Sequence, residues 1–311
     1  MLRKLISFSL AFVMLSVTAF AASAVPTFSE VVSDIEYVTE TAKVAENNYL
    51  AQAKHEDVAD LPTWDGTAAE GIIGGTGTAD DPYLISNGGE LAYFANAVNG
   101  KLTDDAGNAV AADKTLCAKL DRDINLAKED GKKTNWEPFS MSGYKGTFDG
   151  RGHNIYNFYL KVNSAKGFFG SINSGGIVKN FNMIGVVAEL GTESSAGTVN
   201  LGIICSYLQG EESTGKGEAS VPTKLTMINN VYVQGTAGFW NGNSGKERVS
   251  IFGAIAGNMK LAEVRNCFSD VDINLVGNKA TLSNNYSADC SIGGSSFGIG
   301  GVIGKIQHDK G

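Results

Sequence analysis

Four copies of a short glycine-containing element constrain the fold of this chain more than any other feature of its sequence. Each copy starts with Gly, continues with two apolar residues and ends on a small residue. The four copies start at Gly167, Gly202, Gly253 and Gly301. A second element has the form apolar-x-Asn-apolar. Its asparagines are Asn157, Asn180, Asn230 and Asn266. Elements that recur in a fixed order are typical of solenoid proteins, in which each copy adds one unit to a stack.

The spacing between the two elements predicts the length of one repeat unit. Asn180 stands thirteen positions after Gly167, and Asn266 stands thirteen positions after Gly253. Asn157 stands ten positions before Gly167, so the two steps together give a unit of about 23 residues, a length typical of one coil of a parallel β-helix. The chain turns sharply at the corners of such a coil, where Gly and Asn tolerate a positive φ.

We therefore predict an all-β fold, a single-stranded parallel β-helix, over residues 64–311. The recurring glycines would mark close turns, and the four asparagines would form a ladder between coils. The alternative is that each Asn marks an unrelated turn. The fourth glycine element starts at Gly301, so its Asn partner would fall near position 314, beyond the last residue. We expect the last coil to be incomplete and the natural protein to be longer.

The glycine distribution separates an N-terminal segment from this repeat region. All 39 Gly lie after residue 65. Apolar residues between positions 28 and 58 are spaced three and four apart, as in an amphipathic helix. Thr27–Glu30 matches a capping box, and Leu61-Pro62 ends the pattern. Residues 25–63 are therefore predicted as a helical segment.

Residues 1–24 have the pattern of a secretory signal peptide. Arg3 and Lys4 precede an apolar run, and Ala22–Ala24 is a small-x-small cleavage sequence. The alternative is an uncleaved membrane anchor. Cleavage after Ala24 removes both cations and changes the formal net charge from −8 to −10. Such a charge disfavours nucleic acid and anionic lipid as partners. We predict a secreted or cell-surface protein whose mature chain is not inserted in a membrane.

Residues 64–153 are predicted to lead into the repeat coils, which would occupy residues 154–311. Asn87–Glu90 matches a capping box, and Asn99-Gly100 matches a helix stop. The apolar residues between them lie on one face of a short helix. A helix at this place would cap the exposed end of the first coil.

The leading region resembles the start of the GLUG-repeat proteins. The stretches that carry the resemblance are Trp64–Thr67, Gly75–Thr78, Asp81–Ile85, Glu90-Leu91, Asp121–Leu126, Trp136–Pro138 and Gly146–His153. The Gly-apolar-apolar-Gly signature of that family is matched at Gly167–Gly170 and Gly301–Gly304, and the chain departs from it at Cys205 and Ala256. The resemblance implies an exported bacterial surface protein with a right-handed parallel β-helix, similar in shape to pectate lyases. It also implies an adhesion-type role without catalysis.

No constellation of residues predicts a catalytic, metal or cofactor site. Glycoside hydrolysis needs two carboxylates that flank the substrate. Asp149 and His153 form the best polar pair, but Asp149 lies in a Gly-rich turn and is expected to be structural. The four cysteines lack metal-ligand spacing and are expected as buried thiols, with disulfides as the alternative. They are Cys117, Cys205, Cys267 and Cys290.

Ligand binding is therefore the predicted activity. Extra residues follow each Asn element, so the inserted loops would emerge on one side of the solenoid, which is often the binding side. One such loop contains Phe239, Trp240 and Asn241, an aromatic and amide set suited to a sugar, although Trp240 is alternatively a loop anchor. We predict a non-enzymatic surface protein that binds carbohydrate or a host or matrix protein. The alternatives are a polysaccharide lyase or glycoside hydrolase, and a purely structural stalk.

Overall fold

The computed structural model describes residues 55–162, 164–190, 199–211, 224–241, 249–277, 298–300 and 302–306. The predicted signal peptide (1–24) and the predicted helical segment as far as residue 54 lie outside these ranges. The described residues form helix α1 (Gly88–Asn99) and a 3-10 helix (Glu137–Phe139). Their strands are β1 (Tyr83–Ile85), β2 (Ala118–Leu120), β3 (Ile124–Asn125), β4 (Thr147–Asp149), β5 (Asn154–Tyr156), β6 (Tyr159–Val162), β7 (Phe169–Ile172), β8 (Ile177–Leu190), β9 (Val199–Gly202), β10 (Cys205–Gln209), β11 (Met227–Asn241), β12 (Val249–Gly253), β13 (Ala256–Lys260), β14 (Glu263–Arg265), β15 (Phe268–Gly277), β16 (Gly298–Gly300) and β17 (Ile303–Ile306).

These strands form three sheets, and all the pairings between them are parallel. The largest sheet runs β1-β2-β4-β8-β11-β14, with β3, β5, β6 and β15 joined beside this path. The other two run β17-β13-β10-β7 and β16-β12-β9. Parallel neighbours need a crossover connection. Between β8 and β11 that connection contains β9 and β10, one strand from each of the other two sheets. The structure confirms the predicted all-β class with parallel sheets.

Successive passes of the chain pair in register. The earlier pass exceeds the predicted bare unit of about 23 residues, whereas the later passes are expected to be longer because of inserted loops. Ile177 pairs with Thr147, which stands thirty positions earlier in the sequence. Met227 pairs with Ile177, which stands fifty positions earlier. The predicted bare unit is therefore wrong as the length of one pass. It is measured from Asn157 to Asn180, and these two residues are not equivalent in the register.

Three of the four recurring asparagines lie at one corner of successive passes. The φ angles of Asn180, Asn230 and Asn266 are 62°, 57° and 49°. Asn230 Nδ2 donates to Asn180 Oδ1 over 3.1 Å, and Asn180 Nδ2 donates to Asp149 Oδ1 over 3.0 Å. Asn266 Nδ2 donates to the side-chain oxygen of Asn229 over 3.2 Å. Side-chain amides therefore connect neighbouring passes at this corner.

The fourth asparagine, Asn157, lies at a different corner. Its φ is 60°, and the pairing of Tyr156 with Ile184 brings it beside Gly185 rather than beside another asparagine of the series. Gly185 also has a positive φ, 69°. Asn157 Nδ2 donates to Asn125 Oδ1 over 2.9 Å. Asn157 and Asn180 therefore occupy different corners. The sequence separation between them is not the length of one complete pass.

A close backbone contact explains one of the recurring glycines. A Cβ on Gly167 would lie 2.5 Å from the carbonyl oxygen of Gly202, closer than any side chain tolerates. Gly253 pairs with Gly202 on one side and with Gly300 on the other. The register therefore places Gly300 beside Gly253, where the sequence alignment placed Gly301. Gly301 itself lies outside the described residues.

Aromatic side chains fill the interior of the first passes, and α1 packs on them. The fully buried rings include Trp136, Tyr144, Phe148, Phe168, Phe169 and Phe181. The Phe94 ring of α1 lies 6.2 Å from that of Phe148. Asn87 accepts the Glu90 N–H over 2.9 Å at the start of α1, and Gly100 ends the helix with a φ of 68°. The helix has the start and stop that its capping sequence predicts.

Residues 55–63, which we call the strap, contain no helix, so this part of the predicted helical segment is wrong. Leu61 of the strap is buried. Immediately after the strap, the Trp64 N–H donates to the Ala127 carbonyl over 2.8 Å, and its ring lies 5.7 Å from that of Trp136. Leu61 and Trp64 thus attach this part of the chain to the core.

The described cysteines agree in part with the expectation of buried thiols. Cys117 and Cys205 are buried free thiols, and Cys267 is half-buried. Cys290 lies outside the described residues. In the part of the chain that the structure describes, no helix is long and apolar enough to cross a membrane.

Candidate functional site

The predicted binding residues Phe239, Trp240 and Asn241 lie at the end of a strand. They are the last residues of β11. Phe239 pairs with Leu190 on one side, and Trp240 pairs with Val276 on the other. Their backbone therefore belongs to the sheet and not to an inserted loop, while their side-chain contacts lie outside what the structure describes. Their role in binding stays a prediction.

A row of outward-facing amide and aromatic side chains crosses the largest sheet. Asn154 pairs with Asn182, Asn182 with Tyr232, and Tyr232 with Phe268. We call these four residues the outer row. Neighbouring strands of a sheet lie about 4.8 Å apart, so the row repeats at that interval along the stack of passes.

Strand alternation turns the outer row away from the core. Successive side chains of a strand point to opposite faces. Ile155 and Met183, which adjoin Asn154 and Asn182, are fully buried in the core. Phe268 is 65% exposed. Inward apolar residues therefore hold the strands, and the side chains of the outer row are left on the opposite face.

The outer row is ordered by contacts between its own members. Asn182 Nδ2 donates to Asn154 Oδ1 over 2.8 Å. The rings of Tyr232 and Phe268 are stacked, with centroids 5.7 Å apart and planes 22° from parallel. Tyr232 Oη donates to Asp270 Oδ2 over 3.4 Å, and partial burial followed by the charge of Asp270 raises the pKa of Tyr232. The two amides and two rings of the outer row are thus preorganised on one face of the sheet.

A buried carboxylate adjoins the Asn154 end of the row. The side chain of Asp123 is fully buried. Asp123 Oδ1 accepts the Asn154 N–H over 2.9 Å and lies 3.1 Å from His153 Nδ1. Asp123 Oδ2 lies 3.2 Å from Nδ1 of His55 in the strap. One carboxylate therefore joins the strap, His153 and the outer row.

The pKa of Asp123 lies below its usual value. Burial by itself would raise this pKa. Hydrogen bonds from His153 and from the Asn154 N–H, together with the charge of His55, lower the pKa by more than burial raises it. The carboxylate therefore stays ionised near neutral pH. An ionised group that is already hydrogen-bonded on both oxygens is poorly suited to deliver a proton as a general acid.

The polar pair that the sequence singled out is separated in the structure. His153 faces Asp123, as described above. Asp149 instead accepts from Asn180 Nδ2 and, over 2.9 Å, from the Arg151 N–H, and lies 3.4 Å from Lys179 Nζ. These contacts hold Asp149 in the turn after β4, which agrees with the expectation that Asp149 is a structural residue.

Sequence reasoning missed the partners of Asp123. Asp121 is exposed and Asp123 is buried, and both lie in the bend before β3 rather than in a strand. His55 is 68 residues away in the sequence and falls within the predicted helical segment. No local pattern connects the two residues. The described residues contain no group of three His, Cys, Asp or Glu side chains that could hold a metal ion.

A shallow cleft of about 770 Å³ lies beside this cluster. Its walls include Trp64, Ser86, Arg122 and Lys128. Arg122 is engaged by Glu56, with Nε 3.0 Å from the carboxylate. The cleft thus carries charges of both signs, and its arginine is already paired.

Comparison with known proteins finds two likenesses. No protein-family model matches the chain. The chain is 28% identical to halomucin from Haloquadratum walsbyi in an alignment of 202 positions that covers 62% of this chain and about 2% of halomucin. A solved structure of a candidate immunoglobulin A1 protease from Bacteroides ovatus aligns with a TM-score of 0.42 and 19% identity, over 76% of this chain and 65% of that one. The GLUG-repeat resemblance stays a prediction.

Proposed function

We propose that this chain is an exported, non-enzymatic protein of the cell surface or the medium that binds a glycan or matrix ligand. Its scaffold is proposed to be a right-handed parallel β-helix of the GLUG-repeat type. Three parallel sheets support this scaffold, because the chain visits them in turn and pairs with its own previous pass. The export step rests on the signal-peptide pattern of residues 1–24.

The observation that carries the proposed function is the outer row. Asn182, Tyr232 and Phe268 present one polar or aromatic side chain per pass on the same face, in line with Asn154, which is itself only 7% exposed. Aromatic rings and amides together suit sugars, because a ring contacts the apolar face of a pyranose and amides hydrogen-bond its hydroxyls. A feature that recurs along an axis fits a polymer better than a small molecule.

The predicted residues Phe239, Trp240 and Asn241 are proposed as a second binding element. They lie in β11, the same strand that contains Tyr232, but they follow the corner at Gly235, where the register with β8 shifts. They are therefore proposed to contact a ligand separately from the outer row. The substitution Trp240→Ala tests them separately from the outer row.

The hydrogen bonds made by the Asp123 and Asp149 carboxylates support binding without catalysis. Asp123 and Asp149 are each held by several hydrogen bonds or cations. A glycoside hydrolase needs one carboxyl group that can give up a proton and a second that can act as base or nucleophile. Neither residue is placed for such a pair.

Retention of glycans by the purified protein tests the proposal. Immobilised pectin, mucin and plant glycans are exposed to the protein, and both retention and released products are measured. We expect retention without new reducing ends or unsaturated sugars. Tyr232→Ala should weaken retention about three- to ten-fold, from loss of one stacked ring. The matched control is Tyr207→Ala, in β10 of a different sheet, which should leave retention unchanged.

Each other outcome identifies a different function. Released products would support the polysaccharide lyase or glycoside hydrolase. Absence of any retention would support the structural stalk. Equal retention by the wild type, Tyr232→Ala and Trp240→Ala would show that a ligand binds elsewhere on the chain.

A further inference from the structure

Two adjacent charged residues fasten the strap to the repeat region. His55 Nδ1 lies 3.2 Å from Asp123 Oδ2. The Glu56 carboxylate accepts from the Arg122 guanidinium through both oxygens, with Nε 3.0 Å from Oε1. The Glu56 backbone N–H also donates to Asp123 Oδ2 over 3.4 Å. The His55-Glu56 pair thus meets two consecutive residues of complementary charge.

This contact lies over the first member of the outer row. His55 Nδ1 is 3.0 Å from Asn154 Nδ2, which can only donate, so an unprotonated Nδ1 accepts from Asn154 and a protonated Nδ1 donates to Asp123 instead. Asn154 Nδ2 also donates to Tyr156 Oη over 2.7 Å. Asn154 is only 7% exposed, whereas Phe268 at the other end of the row is 65% exposed. His55 thus lies against the polar end of the Asn154 side chain.

The two fastening contacts differ in how they respond to pH. A guanidinium and a carboxylate both keep their charges from pH 5 to pH 8. Histidine changes its charge within that range. We propose that His55 is a proton-operated latch, whose protonated imidazole holds the strap against Asp123 and whose neutral imidazole holds it less tightly. The proposal goes beyond ligand binding and does not depend on it.

Acidic groups predominate around the latch. The acidic groups are Glu56, Asp57, Asp121 and Asp123, and the basic groups other than histidine are Arg122 and Arg151. Tyr156 is uncharged at neutral pH. With both imidazoles neutral, the negative groups outnumber the positive ones by two. Because the pKa of Asp123 is also lowered, the carboxylate that attracts His55 remains charged throughout the range in which histidine titrates.

His153 shares the same carboxylate but has a different role. Its Nδ1 lies 3.1 Å from Asp123 Oδ1, on the oxygen opposite the one that faces His55. It precedes β5 directly and so belongs to the repeat region rather than to the strap. Its protonation adds a positive charge near Asp123 and does not itself hold the strap. The test must therefore separate the two histidines.

Hydrogen exchange of the full chain measures the latch directly. Protection factors of a peptide covering the strap are compared at pH 5.5 and pH 8.0, each relative to the unprotected peptide at the same pH. For the wild type we expect about two- to five-fold higher protection at pH 5.5, the effect of one partly exposed ion pair. The peptide containing α1 serves as the internal reference for global stability.

Four substitutions separate the contributions. His55→Gln keeps a side-chain N–H donor but cannot titrate, so it should remove the difference between the two pH values. Glu56→Gln should lower protection at both pH values and preserve their ratio. His308→Gln removes the third histidine of the chain and should change nothing. His153→Gln should leave a clear difference in place.

Three results would overturn the proposal. The first is equal protection of the wild-type strap at the two pH values. The second is a strap in His55→Gln whose protection still differs between the two pH values, or a difference that His153→Gln abolishes and His55→Gln does not. The third is a strap whose protection follows that of α1 in every variant, because the pH response would then be global.

Discussion

The side-chain amide of Asn230 donates to the side-chain oxygen of Asn180 over 3.1 Å, although 50 residues separate the two in the sequence. Both residues have a left-handed backbone, with φ of 57° and 62°. Asn performs two tasks at this corner, because it tolerates the positive φ and its side chain reaches the neighbouring pass. The two tasks can be separated by substitution.

Asn180→Ala should destabilise the protein by about 2 kcal/mol, from the lost hydrogen bonds and the strain of Ala at positive φ. Asn180→Gly should cost clearly less, because glycine adopts the same φ without strain. Urea unfolding measures both values. Equal losses in the two variants would show that the backbone conformation contributes nothing at this corner.

Gly167→Ala should destabilise the protein by at least about 1–3 kcal/mol, as overpacking does. The reason is that the added methyl group would come within 2.5 Å of the Gly202 carbonyl oxygen, a backbone atom that cannot turn aside. Gly71→Ala is the matched control, because nothing lies within 4 Å of its Cβ position. The control should stay within about 0.5 kcal/mol of the wild type. Thermal unfolding compares the two, and a similar effect of both substitutions would contradict the close-contact explanation.

Asp123 should contribute stability that is lost in acid. Its pKa in the folded protein lies below the ordinary value of 3.8, so the folded state prefers the ionised carboxylate. The contribution is therefore complete above the ordinary pKa and disappears as pH falls through the lowered one. Urea unfolding between pH 2 and pH 6 should show a slope that Asp123→Asn reduces. An unchanged slope in that variant would assign the acid loss to other carboxylates.

Cys205 should resist alkylation in the folded protein, while Cys267 reacts. Complete burial strongly raises the pKa of the Cys205 thiol, and the thiolate is the reactive form. Cys267 is only half-buried. Mass spectrometry after iodoacetamide treatment at pH 8 reports the order, and both thiols should react in denaturant. Faster labelling of Cys205 than of Cys267 would argue against the described core.

Local features of this fold can be read from the sequence. The helix start at Asn87 and its stop at Gly100 follow from side-chain capping and from the left-handed conformation that glycine allows. The positive φ at Asn180 and Asn230 likewise follows from the residue type. Each of these depends on a few neighbouring residues, so one sequence is sufficient to predict it.

Equivalence between passes depends on the tertiary structure. Asn157 and Asn180 match the same sequence pattern, but they occupy different corners because β8 continues through both corners as one strand. Only the pairing of whole passes reveals the offset. The position of Trp240 in a strand was hidden for the same reason, since its neighbours Leu190 and Val276 come from other passes.

The sequence by itself determined the all-β class, the capped helix and the residues that turn at corners, because short-range sterics and side-chain hydrogen bonds decide these. Only the tertiary structure decided which corners align, and only it brought His55, Asp123 and Asn154 together. A buried carboxylate takes its partners from whatever the fold places beside it. Partners so distant in the chain leave no periodic signal in the sequence.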